Sequence, residues 1–353
     1  MDSADTPTAT SRAARRPASQ ADVAALAGVS AQTVSRVANN RSNVEPQTRD
    51  RVLSAMRMLG YQRNSAARAL TLGRFHALGV VTFDITAQGN ARTLAAISRA
   101  AQASGYSVSV VCVENETEEA VQRAVRQLTE QAVDGLAVIE AQILDRPGFD
   151  VSSGVPVVVA DGDPARRHSS IDTDQAAGVT AAVRHLLDLG HRTVWHLGGP
   201  QNSHAARRRA AAWHDSLKSA GAPVPPVRFG DWTAASGYQL GRRIASSPDV
   251  TAVFAANDQL ALGLVRALHE AGRRVPEDVS VVGFDDIPEA AYFTPPLTTV
   301  RQDFEEVGRQ CVALLLDQID PPQGGKSAVT AVSVPPELVV RASSAAPPPA
   351  ARG

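Results

Sequence analysis

The chain has 353 residues, 44% apolar, 20% charged and only 4% aromatic, which is enough for two or three domains with substantial cores. No run approaches the ~18 consecutive apolar residues of a membrane-spanning helix, and residues 1–18 carry Arg12, Arg15 and Arg16 without the apolar stretch of a secretory signal. Cys112 and Cys311 stand far apart in apolar surroundings, so a disulfide scaffold and a CxxC metal or redox motif are excluded and no cofactor is expected. These features describe a cytoplasmic protein with no membrane partner.

The net charge of −1 hides an asymmetry. Residues 1–78 carry eleven arginines against five acids, a balance of +6, which leaves −7 for the remainder. A compact basic head on an acidic body suits a small module that meets a polyanion. Along that head, Ser19 followed by Asp22 reads as a helix cap with an acid at its third position. Val23, Leu26 and Ala27 would form the inner stripe, and Gly28 would end the helix. Ser30 opens a second short helix with Val34 and Val37 inward and Ala31, Gln32, Ser35, Arg36 and Asn39 outward. Pro46 begins a third helix, with Val52, Leu53, Met56 and Leu59 at core spacing, and Gly60 stops it. Two short helices joined by a glycine-containing turn form a helix-turn-helix signature, whose second helix enters the DNA major groove.

Beyond residue 75, short apolar runs alternate with helical patterns. Candidate strands are Ala77–Phe83, Ser107–Val113, Leu136–Ile139, Val155–Ala160, Thr193–Leu197, Val253–Ala255, Ser280–Gly283 and Thr298–Val300. Helices such as Thr93–Ser104, Glu118–Glu130, Ala176–Leu189 and Gln259–Ala271 fall between them, which argues for two doubly wound parallel-sheet lobes with a cleft at the strand carboxyl ends. No GxGxxG, P-loop, GxSxG or HExxH occurs, and "HLGGP" (196–200) is only a weak glycine turn, so an enzyme is not expected. Polar residues gather just after the apolar runs: Asp161, Asn257, Asp285 and Gln302, with Trp232 in "GDWTAASGY". Carboxylates, amides and an arginine around an aromatic face suit a sugar, whose hydroxyls pair with polar groups while its apolar face stacks. Strand-end Asp and Asn also cap helices, and Asp258, Asp286 and Asp303 are read that way.

The strings "ADVAALAGVSAQTVSRVANN" and "TRDRVLSAMRMLGYQRNSAARAL" resemble the headpiece of the LacI family of bacterial transcription regulators. "GDWTAASGYQ", "FAANDQLALG", "RRRAAAWH" and "VSVVGFDDIPEAAYFTPPLTTVRQDF" extend the resemblance to about residue 341. It implies an α plus α/β architecture: a disordered tail (1–18), a helix-turn-helix headpiece (19–63), a hinge helix and linker (64–75), and an effector-binding and dimerisation core (76–341) resembling periplasmic sugar-binding proteins. The core lobes would be about 76–162 plus 290–318, and 163–289 plus 325–341, with a disordered tail at 342–353.

By the same resemblance Gln32 and Arg36 read base edges. Ser30, Ala31, Thr33, Ser35, Asn39 and Asn43 lie at the DNA, several of them on phosphate or sugar. In the hinge, Asn64, Ala67 and Leu70 meet the minor groove, with Leu70 as the wedge. Asp161, Arg209, Trp232, Asn257, Asp285, Gln302 and Phe304 would bind the effector. Phe83, Gln102, Thr173 and Ala205 replace other residues of the family's lactose-responsive branch, Phe83 as part of the pocket wall. The implied function is repression of a sugar-utilisation operon by a homodimer on double-stranded palindromic operator DNA, relieved by a galactoside or related hexoside. A ligand acting as corepressor and a non-regulatory sugar-binding protein are the alternatives. The Pro- and Ala-rich end "SSAAPPPAARG" has no heptads, so nothing in it would build a tetramer.

Overall fold

The computed structural model describes residues 18–38, 43–61, 73–114, 117–139, 151, 153–161, 168–321 and 328–349. Residues 1–17, 350–353, Asn39 and the hinge positions Asn64, Ala67 and Leu70 lie outside the described residues. The chain divides into two compact units, 1–75 and 76–353.

In the first unit, α1 (Gln20–Ala27) begins with a reciprocal cap. Asp22 Oδ2 accepts from the Ser19 main-chain N–H at 2.8 Å, and the Ser19 side chain accepts from the Asp22 N–H. Gly28 ends the helix at φ 64°, a left-handed backbone that only glycine adopts without penalty. Helix α2 (Ala31–Ala38) and α3 (Pro46–Leu59) complete the unit around Val23, Ala24, Ala27, Val34, Val37, Val52 and Ala55. Three expected core leucines are not in it: Leu26 is 50% exposed, and Leu53 and Leu59 are also exposed. The inward arcs run through Val23, Ala24 and Ala27 and through Val52, Ala55 and Met56, which turns Leu26 and Leu53 outward by about a quarter turn.

The second unit holds two six-stranded sheets. The first lobe contains β1 (Ala77–Thr82), β2 (Ser107–Cys112), β3 (Gly135–Ile139), β4 (Val157–Ala160), β5 (Ser169–Thr173) and β11 (Ala331–Val334), in the order β11-β5-β4-β3-β1-β2, all parallel. Side chains alternate between its faces. Val81, Leu136 and Val138 pack under α5 (Glu118–Glu130), while Leu78, Val80, Ala137 and Ile139 pack under α4 (Gln88–Ala103) and α10 (Phe304–Ile319). Both faces being covered explains why these strands read as unbroken apolar runs.

The second lobe contains β6 (Trp195–Gly198), β7 (Arg228–Phe229), β8 (Ala252–Ala255), β9 (Ser280–Asp285), β10 (Thr298–Arg301) and β12 (Glu337–Val339), ordered β12-β10-β9-β8-β6-β7, with only β12 antiparallel. Helices α6 (Gln175–Asp188) and α7 (His204–Ser219) cover one face over Phe254, Val282 and Phe284. Helices α8 (Ala234–Ala245) and α9 (Asp258–Glu270) cover the other over Val253, Ala255 and Val281.

This arrangement corrects the expected lobe limits. Strand β5 belongs to the first lobe and β10 to the second, while β11 and β12 are divided between them. The chain therefore crosses between lobes near residues 174, 302–303 and 335–336. The tail is corrected as well. Ser343 is fully buried, its carbonyl accepts from the Val281 N–H at 2.8 Å and its hydroxyl accepts from the Thr298 N–H at 2.7 Å. Ala345 donates to Ser280 Oγ and accepts from His191 Nε2, so residues 342–345 pack on the second lobe. Strand-end polar groups hold this segment despite its proline-rich composition.

Candidate functional site

The exposed face of α2 presents Ala31, Gln32 and Arg36, with Gln32 and Arg36 one turn apart, while Thr33 and Ser35 are half-buried beside them. Ser30 Oγ accepts from the Thr33 N–H at 3.2 Å, which opens the helix, and Asn43 is exposed. Val34 and Val37 anchor the opposite side. The unit thus offers an amide and a guanidinium on a short rigid element.

In the second unit, a cavity of about 360 Å³ lies between the lobes at the carboxyl ends of the strands. Asp84, Asn90, Asp161 and Phe304 line it from the first lobe, and Ala205, Arg209, Asp231, Trp232, Asn257 and Asp285 from the second. Gln175 and Gln302, also in the lining, stand at two of the crossings between lobes.

Four buried side chains close a ring at its floor. Gln175 Nε2 donates to Gln302 Oε1 at 3.1 Å, and Gln302 Nε2 donates to Asp285 Oδ1 at 2.7 Å. The same Asp285 oxygen lies 3.5 Å from Arg209 Nη2, and Arg209 Nε donates to Gln175 Oε1 at 2.7 Å. Arg209 is only 4% exposed, its carbon Cζ sits 3.9 Å from the centre of the Phe284 ring, and Nη1 donates to the Ala256 carbonyl. Such a ring fixes every polar head before any ligand arrives. Burial raises the carboxyl pKa of Asp285 above its ordinary value, opposed chiefly by Arg209. Asp161 is raised for the same reason, against Arg209, Arg208 and His204.

Three site residues are held in left-handed backbone: Asp161 at φ 58°, Trp232 at 70° and Asp285 at 107°. Each is pinned. The Asp161 N–H donates to the Ile171 carbonyl at 2.9 Å, the Trp232 carbonyl accepts from Asn257 Nδ2 at 3.0 Å, and the Asp285 carbonyl accepts from Arg92 Nη1 at 3.1 Å. Asn257 also caps α9, accepting from the Leu260 N–H at 2.8 Å. The Trp232 ring lies against Gly199, where a Cβ would come within 2.4 Å of it, so the second glycine of "HLGGP" makes room for the indole. At the rim, hydrogen bonds lower two carboxyls, Asp84 through Thr86 and Asp231 through Ser236 and Thr233.

Comparisons with known proteins agree with both units. Residues 21–64 match the family of bacterial regulatory proteins of the lacI type, and residues 183–344 match the periplasmic binding protein-like domain. The lactose operon repressor of Escherichia coli K12 is 39% identical over 305 residues, 85% of this chain and 84% of that protein. This chain belongs to the LacI family. The repressor PurR of Haemophilus influenzae (strain PittEE), another relative, is 32% identical over 328 residues, 91% of this chain and 97% of that one. The crystal structure of the lac repressor dimer bound to operator and the anti-inducer ONPF superimposes with a TM-score of 0.83 at 36% identity, covering 94% of this chain and all of the other. Like its LacI-family relatives, the protein is a transcriptional repressor with a DNA-binding headpiece and a ligand-binding core. Among the described residues no helix is long and apolar enough to cross a membrane.

Within this LacI-family core, the seven expected ligand positions Asp161, Arg209, Trp232, Asn257, Asp285, Gln302 and Phe304 all line one cavity. Phe83 does not. Two residues beyond Val81 on the same strand face, it continues the apolar cluster with Val113 and Val121. Of the other substituted positions, Ala205 lines the cavity, Thr173 is buried with its hydroxyl unpartnered, and Gln102 is exposed on α4. Asp303 caps α10 as read, accepting from the Glu306 N–H. Asp258 and Asp286 are not caps: Asp258 is fully buried, accepting from the Ile287 N–H and Thr299 Oγ1, and Asp286 pairs with Arg301 and Arg341. Gln175 and Gln259 are lining residues that the sequence did not announce. Nothing local distinguishes them from any glutamine near a helix start.

Proposed function

We propose that this repressor binds a palindromic operator as a homodimer and releases it when a galactoside or related hexoside occupies the cavity. The observation that carries this reading is the ring of Gln175, Gln302, Asp285 and Arg209 beneath Trp232, Asp161 and Phe304. Fixed carboxylates and amides beside a half-buried, cavity-lining indole match a pyranose: hydroxyls around its edge, C–H groups on its face. Because the cavity takes side chains from both lobes, a sugar in it favours one lobe arrangement over another. A differential of ~1–3 kcal/mol per site is enough for a family-type switch.

On the DNA side, Arg36 is read as a bidentate partner of guanine and Gln32 of adenine. Ser30, Thr33, Ser35 and Asn43 would hold the backbone, with Ala31 beside the bases. Two headpieces then meet half-sites about one helical turn apart.

The test is fluorescence anisotropy of the full chain on palindromes from its own upstream region, titrated with hexosides at fixed salt. Release by a galactoside or glucoside is the expected result. Tighter operator binding on adding the sugar would make the ligand a corepressor. Tight operator binding indifferent to every sugar would remove the effector assignment and leave the headpiece assignment standing.

A further inference from the structure

Two successive residues at the end of β9, Asp285 and Asp286, take left-handed backbone, at φ 107° and 48°. For a residue with a Cβ this conformation is costly, and it persists only where the surroundings hold it. Asp285 gives its carboxylate to the ring at the cavity floor, beside Gln302 and Arg209. Asp286 does not line the cavity and is held instead by two arginines. Arg301 Nε donates to its Oδ2 and Arg341 Nη2 to its Oδ1, both at 2.7 Å. The Asp286 side chain is 8% exposed and that of Arg341 18%, against 47% for Arg301, so the Arg341 pair is the better shielded. Arg341 is aimed by the segment that follows β12. Its main-chain N–H donates to Thr298 Oγ1 at 2.9 Å and its Nη1 to the Leu297 carbonyl at 2.8 Å. Just beyond, the buried Ser343 hydroxyl bonds Thr298 and Val281. This segment lines none of the cavity, yet it grips the neighbour of a buried cavity carboxylate.

We infer that Arg341 is a positioning residue of the effector site: by clamping Asp286 it keeps the Asp285 carboxylate in the ring at the cavity floor. The inference rests on the reading of the cavity as the effector site. Arg92 holds the Asp285 carbonyl from the first lobe, and Arg341 holds the next side chain from the C-terminal segment. Without the Arg341 bond, Asp286 relaxes towards ordinary backbone. That rotation carries the adjoining Asp285 away from Gln302 and Arg209. The C-terminal segment thus sets effector affinity without touching the ligand.

The experiment is isothermal titration of the full chain with methyl β-D-galactopyranoside, methyl β-D-glucopyranoside and cellobiose, followed by titration of variants with the tightest binder. Arg341→Met should weaken that sugar about 5- to 10-fold. Arg341→Lys, which keeps the charge but not the fork, should weaken it about 2- to 5-fold. Ser343→Ala removes two buried hydrogen bonds from the same segment and leaves Arg341 in place. It should lower the melting temperature while sugar affinity stays within about 2-fold. On an Asp285→Asn background, Arg341→Met should cost no more than about 2-fold, because the carboxylate it positions is gone. Ligand-free operator affinity within about 2-fold of the parent shows that a variant folds, and Arg341→Lys carries the comparison if Arg341→Met does not. Sugar affinity unchanged in the Arg341 variants, equal losses in Arg341→Met and Ser343→Ala, or a full loss on the Asp285→Asn background would each overturn the inference while leaving a sugar-responsive repressor in place. No heat from any of the three sugars on the parent would overturn the effector reading itself, and the positioning role with it.

Discussion

Arg92 of the first lobe donates from Nη1 to the main-chain carbonyl of Asp285 in the second, 3.1 Å away, and to that of Asp286 at 3.4 Å. Its guanidinium also lies 4.6 Å from the centre of the Phe304 ring. One side chain thus ties a helix of one lobe to the strained strand end of the other, beside two lining residues of the cavity. A second tie runs between Arg208 of the second lobe and Asp172 of the first. Arg92→Ala should weaken sugar binding about tenfold, since a charged hydrogen bond and a cation–π contact both go. Arg92→Lys, which cannot reproduce the fork, should recover only part of it. Calorimetry on the full chain checks both.

The ring at the cavity floor predicts a separation of activities. Asp285→Asn keeps the shape and the acceptor for Gln302 while removing the charge beside Arg209. It should lower sugar affinity by at least tenfold and leave ligand-free operator binding within about twofold. Arg209→Ala should do the same to the sugar response but also lower the melting temperature, because it strands a buried carboxylate. Operator anisotropy together with thermal melts distinguishes the two variants.

On the headpiece, Arg36→Ala and Gln32→Ala should each relax discrimination at one operator position by ~1–3 kcal/mol. Both side chains are exposed on α2 while Val34 and Val37 hold the helix from behind, so the fold should survive. A selection on randomised half-sites would show which base pair each residue reads. Leu70→Ala, at the position read from the sequence as the minor-groove wedge, should weaken binding to the central step of the operator.

Buried Asp258 gives the core a pH dependence with a definite sign. Burial, reinforced by the charge of Asp285, pushes its carboxyl up to about 8. A carboxyl raised in the folded state stabilises the protein fully below its unfolded value of about 3.9 and loses that contribution as pH rises through about 8. His196, held down at about 4 by burial, acts only below about 6.5, so the window from pH 6.5 to 9 is clear of it. Asp161 and Asp285 are raised as well and add the same sign. Melting temperature should therefore fall between pH 6.5 and 9, and Asp258→Asn, which keeps partners for the Ile287 N–H and Thr299 Oγ1, should flatten the fall.

Much of the headpiece was legible because its signals are local. Ser19 with Asp22, Gly28, Pro46 and Gly60 mark helix ends through bonds within a few residues. Leu26 and Leu53 were not, since the direction in which a short helix turns its apolar arc depends on its neighbours. The two-lobed core followed from alternating runs, whereas the crossings did not. Ser169–Thr173 has too little apolar content to announce a strand, and pairing of Ala331–Val334 with it is a contact across some 160 residues of chain. Asp161, Asn257, Asp285, Gln302 and Trp232 were legible as polar and aromatic residues just after apolar runs, whereas Arg209 and Phe304 came from family resemblance. The left-handed backbone of Asp161, Trp232 and Asp285 leaves no trace in composition, and Gln175 acquires its role only because the chain changes lobe beside it.

If sugar and operator compete through the lobes of one protein, their binding must be reciprocal. Sugar affinity is measured by titration with and without saturating operator duplex, and operator affinity with and without saturating sugar. Each ligand should weaken the other by the same factor, about 5- to 150-fold. Sugar affinity unchanged by operator would contradict it.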